Sequence, residues 1–509
     1  MAALLPLCLL LALLLLAVPL LFLKSRRPAP AARLPPSPWA LPVIGHLHHL
    51  AGALPHRALR DLTRRHGPLM MLRLGELDAV VASSPDAARE IMKTHGASFA
   101  SRTLTSMQQM AYGHDEGLIF APYGDAWRQL RKICTVELLS SRRVQSFVPV
   151  REEELGRLLR SVAAASASPV NLTEGISAYV ADATVRAIIG SQFTQRDEYL
   201  RMLQEGLKIV PGMTLPDIFP SSRIVRLLSG VPGKILRHSR GMKKFMDAII
   251  QEHQESRVSR SGGGHDGDRE TEDLLDVLLR LQKEADSQYP LTTENIKTVM
   301  LDMFGAGSET AATTLQWAMA ELIRNPRVMG KAQDEVRQHF AGQGKVTEAG
   351  LADLHYLRAV IKETLRMRPP APLLLPRVCG SPCQVLGFDV PEGAMVIVNG
   401  WAIGMDPAHW DAPEEFEPER FERDGGRDFK GADFEFVPFG AGRRICPGMA
   451  FGLAHVELAL AALLFHFDWE LPGGMAAGEL DMTEQFGVTT SLRSDLVVVA
   501  VPRVPVPTE

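Results

Sequence analysis

The stretch Phe439-Gly-Ala-Gly-Arg-Arg-Ile-Cys-Pro-Gly448 decides the fold of this 509-residue chain, because it sets one cysteine at the mouth of a helix. A strong helical pattern of apolar residues follows directly. Cys446 therefore lies near a helix N-terminus, where free backbone N–H groups and the positive end of the helix dipole favour a thiolate over a thiol. Gly440, Gly442 and Gly448 remove side chains where the backbone must approach a flat ligand or adopt a positive φ.

A thiolate in such a turn is the ligand that a haem iron needs if electron density is to be pushed toward O–O cleavage. Arg444, two residues before the sulfur, is placed to bind a haem propionate by charge-assisted hydrogen bonds. The alternative is a buried structural cysteine in a glycine-rich turn, which explains a lone cysteine better than it explains the whole string. The string is similar at every defined position to Phe-x-x-Gly-x-Arg-x-Cys-x-Gly, the haem-binding signature of the cytochrome P-450 monooxygenases. Three further signatures accompany it in the family's order.

The resemblance covers essentially the whole chain and is greatest to the plant A-type, microsomal group, clan seventy-one. It implies a mainly α fold with small β sheets and one haem b (iron protoporphyrin IX), with Cys446 as the axial ligand. Phe439, Gly442 and Gly448 are implied to contact the cofactor. The implied reaction inserts one oxygen atom from O2 into a small lipophilic molecule. Its electrons are implied to come from NADPH through a separate NADPH-cytochrome P-450 reductase.

Composition excludes several other classes of protein. Hydrophobic residues make up 46% and charged residues 22% of the chain, as in an ordinary globular protein, and a net charge of −4 gives no sign of nucleic-acid binding. Five scattered cysteines do not form a disulfide framework and fit a reducing compartment. No nicotinamide or flavin fingerprint is present in the sequence, as a separate electron donor requires.

Residues 1–23 differ from the rest of the chain. Residues 4–23 are almost wholly apolar, and about 20 such residues form a helix of ~30 Å, enough to cross a bilayer. Lys24, Arg26 and Arg27 follow at once, so the positive-inside rule puts the following domain in the cytoplasm. The alternative, a cleaved secretory signal, would have a basic start and a shorter apolar core. We therefore predict a single-pass anchor in the endoplasmic reticulum membrane.

The remainder divides into a short spacer and one large domain. Residues 24–45 are rich in proline and predict a stiff hinge, and residues 46–509 form the predicted haem-thiolate catalytic domain. Two short strands are expected around Gly75, and a small antiparallel sheet is expected within residues 385–399.

A long helix is predicted to start at Thr292 or Thr293 and to run to Asn325, about 33 residues or nearly three times the usual length. Ala306-Gly-Ser-Glu-Thr310 lies near its middle. A glycine there, Gly307, costs about 1 kcal/mol against alanine, which suggests that something else must fit beside it. Close helix packing is the plainer alternative.

Thr310 of this pentapeptide can hydrogen-bond back to the carbonyl of Ala306 and bend the helix open. The pentapeptide resembles the family's oxygen-activation motif, Ala/Gly-Gly-x-Asp/Glu-Thr. The resemblance implies that Thr310 and Glu309 handle the protons that oxygen activation consumes, in a groove formed with Ala306 and Gly307.

Two further signatures carry charged residues. Glu363 and Arg366 lie one helical turn apart, and an exposed pair of this kind contributes little to stability. The resemblance implies instead a buried structural network with Arg420. Trp127 and Arg131 share a helix face, and the resemblance places both on haem propionates together with Arg377. The alternative for Trp127 and Arg131 is a surface tryptophan with a stacked arginine.

A basic patch for an acidic electron donor is one interpretation of five cations near these signatures, and a solvated surface is the other. The five are Arg128, Lys132, Arg142, Arg143 and Arg443.

The resemblance implies that five segments line the substrate pocket. These are 101–120, 210–215, the long helix near Met303, 371–375 and 486–489. Their apolar composition suits a lipophilic molecule, for which a hydrocarbon-like terpenoid is the first choice and a phenolic or indolic compound the second.

Two other functions remain open. One is a haem-thiolate isomerase or dehydratase that needs neither O2 nor a reductase. The other is a membrane-tethered haem carrier or sensor without turnover. Retention of Thr310 and Glu309 favours the monooxygenase over both.

Overall fold

The computed structural model describes residues 33–507, except for 103, 113–116, 166–167, 191–197, 199–200, 203–204, 207–208, 210–212, 262–271, 285–289 and 424–425. The predicted membrane anchor at 1–23 and the first part of the predicted hinge at 24–45 lie outside the described residues.

Helices account for most of the described chain, which confirms the predicted mainly α fold. The α-helices are α1 (Pro55–His66), α2 (Pro85–Arg89), α3 (Ser106–Tyr112), α4 (Asp125–Ile133), α5 (Ser141–Ser146), α6 (Val148–Ala164), α7 (Leu172–Ile189), α8 (Leu215–Ile218), α9 (Arg223–Leu228), α10 (Val231–Ser261), α11 (Leu274–Lys283), α12 (Thr293–Arg324), α13 (Pro326–His339), α14 (His355–Met367), α15 (Gly400–Gly404) and α16 (Met449–His466). Shorter π- or 3-10-helical turns are Leu47–His49, Glu90–Thr94, Cys134–Leu138, Glu348–Asp353, Pro418–Phe421, Gly442–Arg444, Pro472–Gly474 and Ala477–Glu479.

The strands form small sheets, as predicted. They are β1 (Leu69–Leu74), β2 (Leu77–Ala82), β3 (Pro169–Asn171), β4 (Arg377–Val378), β5 (Cys383–Val385), β6 (Phe388–Val390), β7 (Met395–Val398), β8 (Phe467–Glu470), β9 (Glu484–Phe486), β10 (Thr490–Leu492) and β11 (Val497–Pro502). The described strands pair in the orders β1-β2-β7-β4, β3-β11-β8, β5-β6 and β9-β10.

The expectation of one small sheet within 385–399 is only partly correct. β5 and β6 form an antiparallel hairpin, but β7 leaves it and pairs in parallel with β2. The reason is that Val396, Ile397 and Val398 form an unbroken buried apolar run. Such a run suits a strand covered on both faces better than a two-stranded ribbon.

The long central helix α12 is confirmed, with 32 residues. Thr292 and Asn295 form a capping box, in which Thr292 Oγ1 accepts from the backbone N–H of Asn295 at 3.0 Å and Asn295 Oδ1 accepts from that of Thr292 at 3.2 Å. Pro326 lies just beyond the last helical residue and starts α13. At 1.5 Å per residue the helix is about 48 Å long, so it crosses the whole domain.

The core lies where α12 packs against α7 and α16. Every residue from Ala311 to Ile323 is buried. Among the described residues, α16 alone is long and apolar enough to cross a membrane, but 67% of it is buried inside the protein. We therefore assign α16 to the core.

The buried network predicted for Glu363, Arg366 and Arg420 is present. Arg366 donates Nε and Nη2 to the two oxygens of Glu363, each at 2.7 Å, and Arg420 Nε donates to Glu363 Oε1 at 3.0 Å. The side chains of Glu363 and Arg366 are fully buried. Removing one partner from such a network leaves an uncompensated charge, at about 3–5 kcal/mol.

Candidate active site

The cysteine turn is held by its own backbone. Cys446 donates its N–H to the Phe439 carbonyl at 3.0 Å, and α16 begins three residues further on. Gly440 and Gly442 both have a φ of 67°, which confirms the predicted need for glycine. At Gly442 an added Cβ would also overlap the carbonyl oxygen of Met92. Gly448 has a φ of −89° and a Cβ there would meet no protein atom within 4 Å, so its predicted approach to a flat ligand stays a prediction.

Arg444 is buried and oriented by backbone carbonyls. Its Nε donates to the Ala100 carbonyl at 2.6 Å, and its Nη2 donates to the carbonyl of Ala121. The guanidinium also lies 3.9 Å from the ring centre of Trp127. The turn before Cys446 is thereby attached to the segment around residues 100–121.

Three other arginines surround Arg444. These are Arg102, Arg131 and Arg377, and their charges all lower its pKa. Burial is the larger cause and, with this repulsion, lowers the pKa of Arg444 to about 9. The pKa of Arg377 is likewise lowered to about 9 by burial and by Arg102, and that of Arg102 to about 10 by burial and by Arg131. Within the described chain none of the four forms a salt bridge, so together they are a buried cationic site.

Two of these guanidiniums carry buried N–H groups that have no protein partner, Arg102 Nε and Arg377 Nη1. A buried N–H without an acceptor costs about 1–3 kcal/mol, so it points to a ligand that supplies acceptors. A haem b with two carboxylate groups fits this set, because it brings negative charge and acceptor oxygens beside a thiol.

Arg131 contacts the cysteine turn directly. Its Nη2 donates to the Ile445 carbonyl at 2.6 Å, next to the cysteine. Burial raises the pKa of the Cys446 thiol, whereas the Gly448 N–H and the charges of Arg131 and Arg102 lower it. The N–H of Gly448, next to the start of α16, thus favours the thiolate as predicted, but burial penalises the anion more strongly. A coordinated metal ion reverses this, since it deprotonates a thiol ligand.

Trp127 is buried, which excludes the surface alternative. Its indole Nε1 donates to the Leu118 carbonyl at 3.0 Å, and its ring lies against Arg444. The described contacts of Trp127 therefore orient a cation of the site.

On α12, Thr310 donates its hydroxyl to the Ala306 carbonyl at 2.7 Å, as predicted. Beside Gly307 the structure has two protein side chains. A Cβ there would lie 3.5 Å from Phe451 and 3.6 Å from Thr184, which are ordinary packing distances. Gly305 instead lies beside the cavity described below, and a Cβ there would meet nothing within 4 Å.

Glu309 is held from outside its helix. Thr489, in the turn between β9 and β10, donates its hydroxyl to Glu309 Oε1 at 3.1 Å. Thr489 Oγ1 also lies 3.2 Å from the hydroxyl oxygen of Thr313, one turn further along α12. The carboxylate is thus positioned by a neighbouring turn.

A cavity of about 520 Å³ lies on the same side of α12. All five segments predicted to line it contribute residues, with Phe120, Met213, Leu374 and Phe486 as examples from the four outside α12. Near Met303, the residues that line it are its neighbours Leu301 and Gly305. The cavity also extends to Leu47, Leu50, Ile235 and Met242, which the sequence did not indicate.

The cavity reaches the cysteine turn through Leu374. This side chain lines the cavity and lies 3.9 Å from the position of a Cβ at Gly440. One apolar cavity is therefore lined both by α12 and by a residue that lies against the cysteine turn.

The buried carboxyl of Asp302, on α12, binds the loop at residues 117–119, whose carbonyls accept from Arg444. Asp302 Oδ2 accepts from the backbone N–H of Ile119 at 3.1 Å. Burial raises the pKa of Asp302 to about 7, although this hydrogen bond and a second from the Leu118 N–H lower it. A Cβ at Gly117 would overlap Asp302, so the loop lies directly on it. The carbonyls of Leu118 and Ile119 in turn accept from Arg444 at 3.3 and 3.4 Å.

Arg102, Asp302 and Thr489 are site residues that sequence reasoning missed. Arg102 and Thr489 fall within segments predicted to line the pocket, but no spacing rule singles them out. Asp302 carries a signal, because an aspartate within an apolar stretch of a helix requires buried partners.

Comparison with known proteins defines the class. The sequence model of the cytochrome P450 family matches residues 35–494. The chain is 44% identical to premnaspirodiene oxygenase of Hyoscyamus muticus over 474 residues, 93% of each chain. It is 47% identical to desmethyl-deoxy-podophyllotoxin synthase of Sinopodophyllum hexandrum over 470 residues, 92% of each chain. A zebra fish cytochrome P450 structure with progesterone superposes with a TM-score of 0.75, at 25% identity, over 89% of this chain and 100% of that chain.

The chain therefore belongs to the cytochrome P450 family. Further relatives at 44% identity are designated cytochrome P450 71D, which confirms the predicted plant clan. As a member of this family the protein binds haem b and is a monooxygenase that acts on a small molecule.

Proposed function

We propose that this protein oxidises a terpenoid of largely hydrocarbon character, inserting one oxygen atom of O2 while the other leaves as water. In balanced form, RH + O2 + NADPH + H⁺ gives ROH + H2O + NADP⁺, with the two electrons passing through a separate reductase. The observation that carries the proposal is the apolar cavity that meets α12 and the cysteine turn at Leu374.

Cys446 is the proposed axial ligand of the haem iron, and haem supplies the oxygen chemistry when it is bound. Arg102, Arg131, Arg377 and Arg444 form the site for its carboxylates. The free N–H groups of Arg102 and Arg377 support this role, because they are buried donors aimed at no protein acceptor. Arg444 is kept in place by its hydrogen bonds to backbone carbonyls.

Thr310 and Glu309 are the proposed proton-handling pair. The Thr310 hydroxyl is half-buried and donates to the Ala306 carbonyl. Its oxygen can therefore accept a hydrogen bond from a water molecule that carries protons to the site. Glu309 is half-buried too, and Thr489 fixes one of its oxygens. A carboxylate in this setting can bring protons from solvent to the cavity.

The lining of the cavity supports a hydrocarbon-like substrate. Leucine, isoleucine, methionine and phenylalanine side chains dominate it. Its polar groups are concentrated at one end, where Lys297 donates to Glu294 at 2.6 Å. An apolar molecule with at most one or two polar groups fits such a site. One relative is named for the oxidation of premnaspirodiene, which favours a terpenoid over a phenolic or indolic compound.

A membrane surface is the proposed partner of an apolar patch formed by residues 34–44 and 213–228. Trp39, Val43, Ile224 and Leu227 of this patch are 62–82% exposed. Both segments bind the turn between β1 and β2. The Ile44 carbonyl accepts the Gly75 N–H at 3.3 Å, and that of Ile218 accepts the Glu76 N–H at 3.0 Å. The two segments therefore lie side by side, and an exposed apolar surface of this kind is what a bilayer binds.

The proposed reductase site is smaller than the predicted basic patch. Arg143 is not available to a partner, because it donates to the Glu272 carbonyl at 2.8 Å and is only 12% exposed. Arg128 is 60% exposed, and Lys132 follows on the same helix. Arg142 and Arg443 are exposed as well, so these four are the cations of the patch that we propose for an acidic donor.

The proposal is tested with the full chain, produced in membranes together with a plant NADPH-cytochrome P-450 reductase. We expect oxygenated products with premnaspirodiene or related sesquiterpene hydrocarbons, gaining one oxygen atom that ¹⁸O2 labels. Product formation without NADPH or O2 would favour the isomerase alternative. Turnover of phenolic compounds, together with no turnover of any terpenoid, would overturn the proposed substrate class.

Cys446→Ala tests the ligand. It should abolish the long-wavelength Soret band of the reduced carbon monoxide complex. Cys134→Ala is the matched control, since Cys134 is buried in a different helix and should leave the band in place.

A further inference from the structure

The hydroxyl of Thr313 is unusual on its helix. The hydroxyls of Ser308, Thr310 and Thr314 each donate to the carbonyl four residues earlier, at 2.6–2.8 Å. Thr313 instead lies 3.2 Å from Thr489 Oγ1, in the turn between β9 and β10. Both threonines are buried, Thr313 at 2% and Thr489 at 5% exposure, so water does not satisfy them.

Counting protons fixes the direction of this contact. A hydroxyl carries one proton, and a carboxylate only accepts. Thr489 gives its proton to Glu309 Oε1, so the proton between the two threonines must come from Thr313. The chain runs from Thr313 to Thr489 to Glu309, and each bond strengthens the next by polarisation. Its last bond is charge-assisted and is therefore the strongest.

The turn that carries Thr489 is fixed on both sides. On one side Glu484 is 3% exposed and accepts from Arg368 at 2.6 Å and from Arg57 at 2.8 Å. On the other side the Thr490 N–H donates to the Pro370 carbonyl, and the Thr490 carbonyl accepts from Trp317, each at 2.9 Å. Such a turn can hold a hydroxyl in one place.

Phe486 and Val488 of the same turn line the cavity. The residues that touch a bound substrate and the hydroxyl that holds Glu309 therefore lie within four positions of each other. A substrate that packs against Phe486 or Val488 therefore acts on the turn that positions Thr489.

We propose that Thr489 is a positioning residue for Glu309, and that through it the substrate-lining turn controls how well electron use is coupled to oxygen insertion. The inference rests on the proposed function, in which Glu309 handles protons. When proton delivery fails, O2 takes two electrons and two protons and leaves as H2O2, so the ratio of peroxide to NADPH consumed reports the position of Glu309.

The variants are Thr489→Val, which keeps the shape and removes the donor, Thr489→Ser, which restores it, and Glu309→Gln. Thr314→Val is the matched control, because that hydroxyl bonds only within α12. Each full-length holoenzyme is assayed with reductase, first without substrate and then with premnaspirodiene as the probe. We expect Thr489→Val to raise the peroxide ratio by about tenfold or more, the effect of losing one hydrogen bond to a charged group. Thr489→Ser and Thr314→Val should stay near wild type.

Two comparisons exclude a merely structural effect. In the Glu309→Gln background, Thr489→Val should raise the ratio of peroxide to NADPH no further. The pH profile of that ratio should shift in Thr489→Val but not in Thr314→Val. The thermal midpoint of the holoenzyme should show the same non-additivity, which does not depend on turnover. If Thr489→Val yields no haem protein, Thr489→Ala is judged by the same criteria.

A normal peroxide ratio in Thr489→Val beside a raised ratio in Glu309→Gln would overturn this inference alone. Effects of Thr489→Val that simply add to those of Glu309→Gln would also overturn it. A normal ratio in Glu309→Gln would overturn both the inference and the proposed role of Glu309.

Discussion

Glu484 is the negative centre of a buried cluster, and Glu484→Gln should destabilise the protein strongly. One oxygen, Oε1, accepts from Arg57 at 2.8 Å and Arg368 at 2.6 Å. The other, Oε2, accepts from His56 and from a second nitrogen of Arg57, both at 3.1 Å. A glutamine keeps one acceptor oxygen, and its NH2 group must face two donors at the other position.

The size of the effect follows from what each partner keeps. Losing one member of a buried charge network costs about 3–5 kcal/mol. Arg368 retains Glu321 at 2.8 Å, and the side chain of Arg57 is 39% exposed, so both partners are partly compensated. We expect a loss of about 3 kcal/mol, at the low end of that range.

The pH dependence has a definite direction. Burial alone would raise the pKa of Glu484, but the hydrogen bonds from His56 and Arg57 and the charge of Arg368 hold it well below its usual value. A depressed folded-state pKa gives stability that is present above the unfolded pKa, about 4.3, and is lost as the pH falls below it. The difference between wild type and Glu484→Gln should therefore be constant from pH 6 to 8, roughly, and shrink below about pH 4.5.

The assay is urea unfolding of the holoenzyme in detergent, followed by far-UV circular dichroism. Glu414→Gln is the matched control, since Glu414 is 78% exposed and lies 3.8 Å from its partner Arg60. It should change the free energy of unfolding by less than about 0.5 kcal/mol. Equal stabilities of the two variants at pH 7 would refute the reasoning.

Three other predictions concern the haem site and its loop. Gly442→Ala should abolish the haem protein, because its Cβ would overlap a backbone carbonyl at a position with a φ of 67°. Gly330→Ala, at an open helix position, should instead stabilise the protein by up to about 1 kcal/mol. Carbon monoxide difference spectra and unfolding midpoints measure both effects. Arg377→Met should speed haem transfer to apomyoglobin about tenfold, and Arg128→Met should not change it, since only Arg377 is buried with a free donor. Burial raises the pKa of Asp302 to about 7, so the folded state binds the extra proton and stability should fall as the pH rises from about 5 to 7.5. Asp302→Asn keeps the acceptor oxygen and should remove about 2 kcal/mol of this dependence in urea unfolding.

Local patterns predicted the elements that depend on local chemistry. The capped helix α12, the strands around Gly75 and the back-bond of Thr310 follow from rules that operate over a few residues, and the structure confirms them. The cysteine turn and the Glu363 network came from a resemblance, and their geometry has the implied form.

Contacts between distant segments were not predictable in this way. Thr489 lies 180 positions from Glu309, and Arg102 lies 344 positions from Cys446, so no spacing within the sequence connects them. What lies beside Gly307 was unpredictable for the same reason. A glycine in a helix centre reports a missing side chain, but only the neighbouring helices decide whether the space is used.

Four guanidiniums that repel one another within a buried site have a consequence for the cell. A ligand that binds only the native state stabilises it by RT ln(1 + [L]/Kd), and here that ligand also removes an internal repulsion. Haem supply should therefore set how much of the chain is folded, and not only how much is active.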